Sequence, residues 1–199
     1  EEGTPLEAEV LQGKLHSPDS DLAADMYELA EWMTAREGYQ QYEISNWALP
    51  GHACSHNLTY WRNQSYLGVG PGAHSSLSRH RFANLRSPRQ YIQRVQNWAK
   101  STTASVGHQI AVQSQLMEMV ETIDRQLEMG ETMMLGLRLT EGVGEDLFRA
   151  RFGTELRDTF GSPIDELEQL GLLMWRDGNL KLTPRGRLLG NEVFQRFLV

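Results

Sequence analysis

The chain has 199 residues, 40% of them hydrophobic, with 19 Lys or Arg against 26 Asp or Glu and a net charge of −7. That supports a real core in one domain or two small ones and argues against a general nucleic-acid binder. No apolar run approaches the ~20 residues that span a bilayer, and the lone cysteine, Cys54, excludes an intrachain disulfide framework and fits a reducing cytoplasm.

Residues 1 to 20 read as irregular, with Gly3, Pro5, Gly13 and Pro18. The polar cluster Ser17–Asp21 then signals a helix, and Leu22, Met26, Leu29 and Met33 follow at helical spacing as one apolar stripe. Gly38 suits the end of that helix. Tyr42 to Trp47 reads as a strand, closed by the Pro50-Gly51 turn. Helix followed by strand is the α/β unit of a barrel piece. A short strand over 79–84 and a helix from Ser87-Pro88 come next, the helix with Tyr91, Val95 and Trp98 facing inward. The polar stretch from Lys100 to Gln109 sets a boundary between 1–108 and 109–199.

The second part is more helical. Thr122 to Leu139 carries Ile123, Leu127, Met134 and Leu137, interrupted by Gly130. Glu145 to Phe152 is a short helix ending at Gly153. Ser162-Pro163 starts another, with Leu167, Leu170 and Leu173 as its buried face. Met174 to Leu182 is a hairpin around Asp177-Gly178, and Thr183-Pro184 caps a last helix striped by Leu189, Val193 and Phe197. Helices followed by a hairpin resemble a winged-helix module, which often binds DNA. Nine acids against eight Arg or Lys from Glu145 to Val199 leave no electrostatic footprint for phosphate, so a packing or interaction domain is the better reading.

Unusual chemistry concentrates between Tyr42 and Leu77, which hold His52, His56, His74, Cys54, Trp47 and Trp61. A haem iron takes an axial imidazole, and porphyrin wants flat apolar contact; His56 with Tyr60 and Trp61, read as a loop, offers both. The plainer alternative is a hydrogen-bonding loop histidine. His52-x-Cys54-x-His56, if extended, puts three zinc-type donors on one face, without an evident fourth. Gly68-Val-Gly-Pro-Gly72 superficially suggests a phosphate loop but lacks the Lys-Ser/Thr of one; its glycines permit close backbone approach or tight packing. Glu43 is either inward and polar or paired with Arg62.

The run YEISNWA, then PG, HNLTYW and YLGVGPGAHS, resembles the haem-chaperone (HemW-like) branch of the oxygen-independent coproporphyrinogen III oxidase family of radical S-adenosylmethionine (SAM) proteins. The resemblance extends from Glu2-Gly3-Thr4-Pro5 to LTPRGRLLGNEVF near the end. It implies an α/β plus α+β protein: the last elements of a partial radical-SAM (β/α) barrel over 1–108, then a mostly helical, winged-helix-like C-terminal domain over 109–199. It implies the C-terminal portion of a cytoplasmic chaperone that binds haem and delivers it to a haem-accepting protein, with a homodimer as a possible assembly. The rivals are coproporphyrinogen III oxidase itself, disfavoured by HNxxYW, and a DNA-binding regulator. By the same resemblance His56, Asn57, Tyr60 and Trp61 bind haem, with His56 on the metal, while His74, Gly70, Gly72, Leu58 and Thr59 fall beside SAM positions. The family's CxxxCxxC loop is not in this sequence, so a [4Fe–4S] cluster and most SAM contacts are implied for the parent's other half. The chain alone is expected to be catalytically inactive.

Overall fold

The structure is a computed structural model that describes residues 3–16, 19–100 and 116–198. It divides into two units, Glu1–Ala53 and Cys54–Val199. The boundary expected at residue 108 lies outside the described residues.

The first unit opens with a helix, α1 (Pro5–Leu11), where irregular chain was expected. Thr4 accepts a hydrogen bond from the Glu7 N–H and Pro5 occupies the first turn, so the start is a cap-and-proline signal. Helix α2 (Ser20–Arg36) starts at Asp19, whose Oδ1 accepts from the N–H groups of Asp21 and Leu22 at 2.9 Å each. Its apolar row sits at the expected spacing, but Leu22, Met26, Leu29 and Met33 are 53–62% exposed. The single strand expected over Tyr42–Trp47 is a hairpin instead. Strands β1 (Gln40–Glu43) and β2 (Asn46–Ala48) pair antiparallel around Ile44-Ser45. Ser and Asn favour a turn where continuous extension was read. The Tyr27 hydroxyl donates to the Ile44 carbonyl at 3.0 Å, and its ring lies 6.0 Å from that of Trp47, so α2 is fixed to the turn of the hairpin.

The second unit contains α3 (Ser55–Trp61), β3 (His74–Leu77), β4 (His80–Asn84), α4 (Pro88–Lys100) and β5 (Met117–Thr122), the strands forming an antiparallel sheet in the order β3-β4-β5. Thr122, expected in a helix, ends β5. Helix α5 (Arg125–Gly136) begins only after Asp124, whose carboxylate accepts from the Leu127 N–H at 2.8 Å. Then come β6 (Val143–Gly144), α6 (Glu145–Phe152), α7 (Leu156–Gln169), β7 (Leu173–Arg176) and β8 (Asn179–Leu182), the strands ordered β6-β8-β7. Helices α8 (Pro184–Leu188) and α9 (Gly190–Phe194) and a 3₁₀ turn, Gln195–Phe197, finish the unit. All of these strand pairs are antiparallel, and no sheet closes into a barrel among the described residues.

Helix α7 is two helical stretches joined across a kink, and the second begins after Phe160, at the Ser162-Pro163 start expected from the sequence. Proline supplies no N–H to the preceding turn, and the helix kinks at Phe160, where φ is −125°. Leu167 is buried as read, but Leu170 caps the helix and is 47% exposed, and Leu173, read on the helix face, is buried on β7 instead. The last helix is split at Leu189, which is also exposed. On α4, Tyr91 and Val95 are half-buried and Trp98 is exposed.

The core sits in the second unit. Met133, Leu137, Leu156, Ile164, Leu180 and Val193 are essentially sealed. Phe160 is the hub of a ring cluster, with centroids 6.2 Å from Phe148 and 5.4 Å from Phe197. One ion-pair network ties the sheet to this core. Arg81 of β4 donates to Glu131 of α5 at 2.7 Å and to Glu121 of β5 at 3.0 Å. Burial opposes the Arg81 charge, but the bond to Glu131 and the two carboxylates outweigh it and raise its pKa, so the guanidinium stays charged.

Gly130 does not interrupt α5; it makes room for the Phe197 carbonyl, which a Cβ there would strike. Phe197 is itself locked in the ring cluster and cannot retreat. Gly130→Ala should therefore cost about 1–3 kcal/mol through overpacking. Gly161→Ala, with open space around its Cβ position, should be neutral or stabilising by up to about 1 kcal/mol. Denaturant midpoints of the two variants check this; equal effects would refute the packing argument.

Candidate functional site

The segment His56-Asn-Leu-Thr-Tyr-Trp61, read as a loop, is the helix α3. Positions four apart share a helical face, and this sequence makes two such pairs. His56 and Tyr60 form one, their rings meeting edge to face with centroids 4.8 Å apart. Tyr60 in turn meets Tyr66 at 4.6 Å. Tyr66 is joined to β3 by reciprocal backbone bonds with Ser76, at 2.9 and 3.0 Å. A row of three rings therefore leads from an exposed imidazole to the sheet.

Asn57 and Trp61 form the second pair, turned from the first by roughly 100°. The Arg138 guanidinium lies 4.9 Å from the Trp61 ring and 5.1 Å from that of Phe194, so it bridges α3 to α9. The structure thus places Trp61 away from His56; the ring beside the imidazole is Tyr60. Leu58 and Thr59 are half-buried, and the Thr59 hydroxyl donates to the Ser55 carbonyl at 2.9 Å.

Helix α3 ends because Asn63 turns into the left-handed region, at φ 48°. Its amide donates to the Thr132 hydroxyl of α5 at 3.1 Å. Arg151 of α6 donates to the Asn63 carbonyl at 2.9 Å, to that of Arg62 at 3.4 Å and to Glu128 at 2.7 Å. Nothing local in the sequence points to Arg138 or Arg151, which reach α3 from more than 70 residues away.

The glycine run has structural work. A Cβ on Gly68 would strike the His74 carbonyl, and Gly70 and Gly72 have φ of 104° and 71°. The Asn84 amide donates to the carbonyls of Gly70, at 2.9 Å, and Gly68, at 3.3 Å. His74 opens β3 opposite Ala83 and is exposed.

Within the Tyr42–Leu77 stretch the structure breaks up the His52-x-Cys54-x-His56 set and decides between the two readings of Glu43. Cys54 is exposed and directly precedes α3, so the alternation His52-x-Cys54-x-His56 stops there. His52 lies in the first unit, Cys54 and His56 in the second. No group of three or more His, Cys, Asp or Glu able to hold a metal occurs among the described residues. Glu43 does not pair with Arg62, which binds Glu141 at 3.0 Å; Glu43 is fully buried and accepts from the Asn46 amide.

Residues 123–189 match the HemN C-terminal domain family. The chain is 36% identical over 187 residues to the heme chaperone HemW of Bacillus subtilis, covering 94% of this chain and 45% of that protein. It is 36% identical to the mitochondrial radical S-adenosyl methionine domain-containing protein 1 of Mus musculus, over 94% of this chain and 41% of the relative. It spans about half the length of the curated relatives it matches. Among solved structures, the Escherichia coli coproporphyrinogen III oxidase HemN, described as a radical SAM enzyme, superposes with a TM-score of 0.63 at 16% identity. That match covers 90% of this chain and 42% of the other, and shows a shared fold.

The ring row has an electrostatic signature. Burial, reinforced by Tyr60 and opposed by Arg81, raises the Tyr66 pKa above its ordinary 10.0. Its contribution to stability is then fully present below pH 10 and is lost as pH rises through the higher folded value. Between pH 9 and pH 11.5 the wild type should lose more stability than Tyr66→Phe, measured by urea unfolding. Parallel losses would show that Tyr66 does not carry the effect.

Proposed function

From the premise that the chain is HemW-like over nearly its whole length, we propose that it is the carboxy-terminal part of a radical-SAM haem chaperone, which binds haem and hands it to a haem-accepting protein. The observation that carries this reading is the likeness to proteins named heme chaperone along 94% of the chain or more. The geometry of α3 supports it. His56 is exposed, rests on the Tyr60 ring, and its nitrogens have no hydrogen-bond partner among the described residues, which leaves them free for iron. On this reading His56 would supply the nitrogen donor to the haem iron, with Tyr60 and Asn57 beside it and Trp61 on the adjoining face of α3.

The same reading makes 1–108 the last elements of a radical-SAM barrel and 109–199 a winged-helix-like domain; the order α5-β6-α6-α7-β7-β8 supports the second of these. His74, Gly70, Gly72, Leu58 and Thr59 would border SAM, the glycines by letting backbone come close. A [4Fe–4S] cluster does not fit this chain: it needs several thiolates, and Cys54 is the sole cysteine. Cluster and electron delivery therefore fall to further residues of the parent. No helix among the described residues is long and apolar enough to cross a membrane. The lone cysteine fits the reducing cytoplasm to which this reading assigns the chaperone. The balance of acids from Glu145 onward speaks against DNA as its partner.

Haem titration of the full-length protein tests the assignment. His56→Ala should weaken binding by about 10–100-fold, the scale on which metal sites respond to lost ligand support, and shift the Soret band. An unchanged spectrum and affinity, with loss on Cys54→Ser or His52→Ala, would move the iron to another donor. Turnover of coproporphyrinogen by the full-length protein would favour the oxidase instead.

A further inference from the structure

A cavity of about 460 Å³ opens beside the C-terminal end of α3, between it, α5, β6 and α6. Its size falls in the range of about 300–1,000 Å³ typical of small-molecule sites. Trp61, Leu139, Leu147 and Phe148 supply apolar walls. Leu147 is 76% exposed, so an apolar wall stands open to solvent. Arg62 and Arg151 also line the cavity, with Glu141 as the one acid among its lining residues. The Trp61 indole N–H is buried and has no hydrogen-bond partner among the described residues.

We propose that this cavity binds an apolar ring bearing carboxylates, which on the haem reading above is the propionate-bearing edge of the tetrapyrrole. The charge selects the ligand class: Arg62 pairs with Glu141, while Arg151 and Arg79 share the single carboxylate of Glu128 at 2.7 and 3.7 Å, and the remaining positive charge disfavours a cation and favours an anion. Arg62 is the exchangeable partner. Its pair with Glu141 is 45% and 52% exposed, and such surface pairs contribute little, so a ligand carboxylate can replace Glu141 at small cost. Arg151 is held to Glu128 and to the end of α3 and supplies fixed positive charge behind it. The orphan indole N–H gives a further donor for a ligand oxygen. The Trp61 face of α3 then grips the ring's acid edge, while the His56 face addresses iron.

Metal-free protoporphyrin IX and its dimethyl ester separate the two roles in the full-length protein, with fluorescence as the readout. The diacid should bind at least about tenfold more tightly than the ester, as expected of a lost charge-assisted bond. Arg62→Ala should abolish that preference. Ala150→Trp, which fills the cavity from an exposed position, and Leu147→Glu, which adds a repelling charge, should each weaken diacid binding. Gly161→Ala, at an open site the cavity does not use, should leave metal-free binding unchanged. A wild type that binds haem, with Ala150→Trp and Leu147→Glu binding porphyrin as well as it does, overturns the cavity and leaves the haem reading standing. So does a defect confined to haem transfer, which would make the cavity a seat for the recipient protein. A wild type that binds neither haem nor porphyrin overturns both.

Discussion

Arg151 holds the end of α3, and much else in the second unit follows from that contact. A helix of seven residues is marginal on its own, because nucleation is costly and few internal bonds repay it. Here a guanidinium donates to the carbonyls of Arg62 and Asn63, the two residues that follow the last turn, while pairing with Glu128. A cation at a helix C-terminus is favourable both as hydrogen-bond donor and against the dipole. The Asn63 amide on Thr132 and the Arg138 guanidinium under Trp61 complete the attachment. The HNLTYW segment owes its helical form to residues from the carboxy-terminal half of the chain.

This dependence explains which features were legible in the sequence. Caps and turns are local, and they were readable: the Asp177-Gly178 hairpin, the Thr183-Pro184 start and the Gly153 end all stand where residue chemistry puts them. The start of α1 is equally local, but the Gly3, Pro5 and Gly13 that read as irregular chain hide its Thr4-Pro5 signal. The Tyr42–Trp47 strand was misread because β-branched and aromatic content marks extension without marking where extension reverses. The three chemistry-bearing rings His56, Tyr60 and Trp61 were found, yet their division between two faces was not. That needed the knowledge that α3 is a helix, which depends on Arg138 and Arg151.

The two units bury their apolar residues to different degrees. The second has a sealed core in which Phe148, Phe160 and Phe197 interlock and a charged network fastens sheet to helix. Among the described residues of the first, Glu43 is the one fully buried side chain, and the regular apolar row of α2 is more than half exposed. Amphipathic spacing predicts a helix well, but it says only that a face is suited to burial. Tyr27, which is not in that row, makes the contacts that fix α2 to its hairpin.

The pairing of His56 with Tyr60 and Asn57 with Trp61 also limits how this segment can change over evolutionary time. Each side chain can be exchanged singly without disturbing its neighbours' directions. Inserting or deleting one residue between them would instead rotate everything beyond it by about 100°. Tyr60 would leave the imidazole and Trp61 would leave the guanidinium in the same event. The length of the segment is thus under a stricter constraint than its composition, and lineages can vary it by replacement but not by indel.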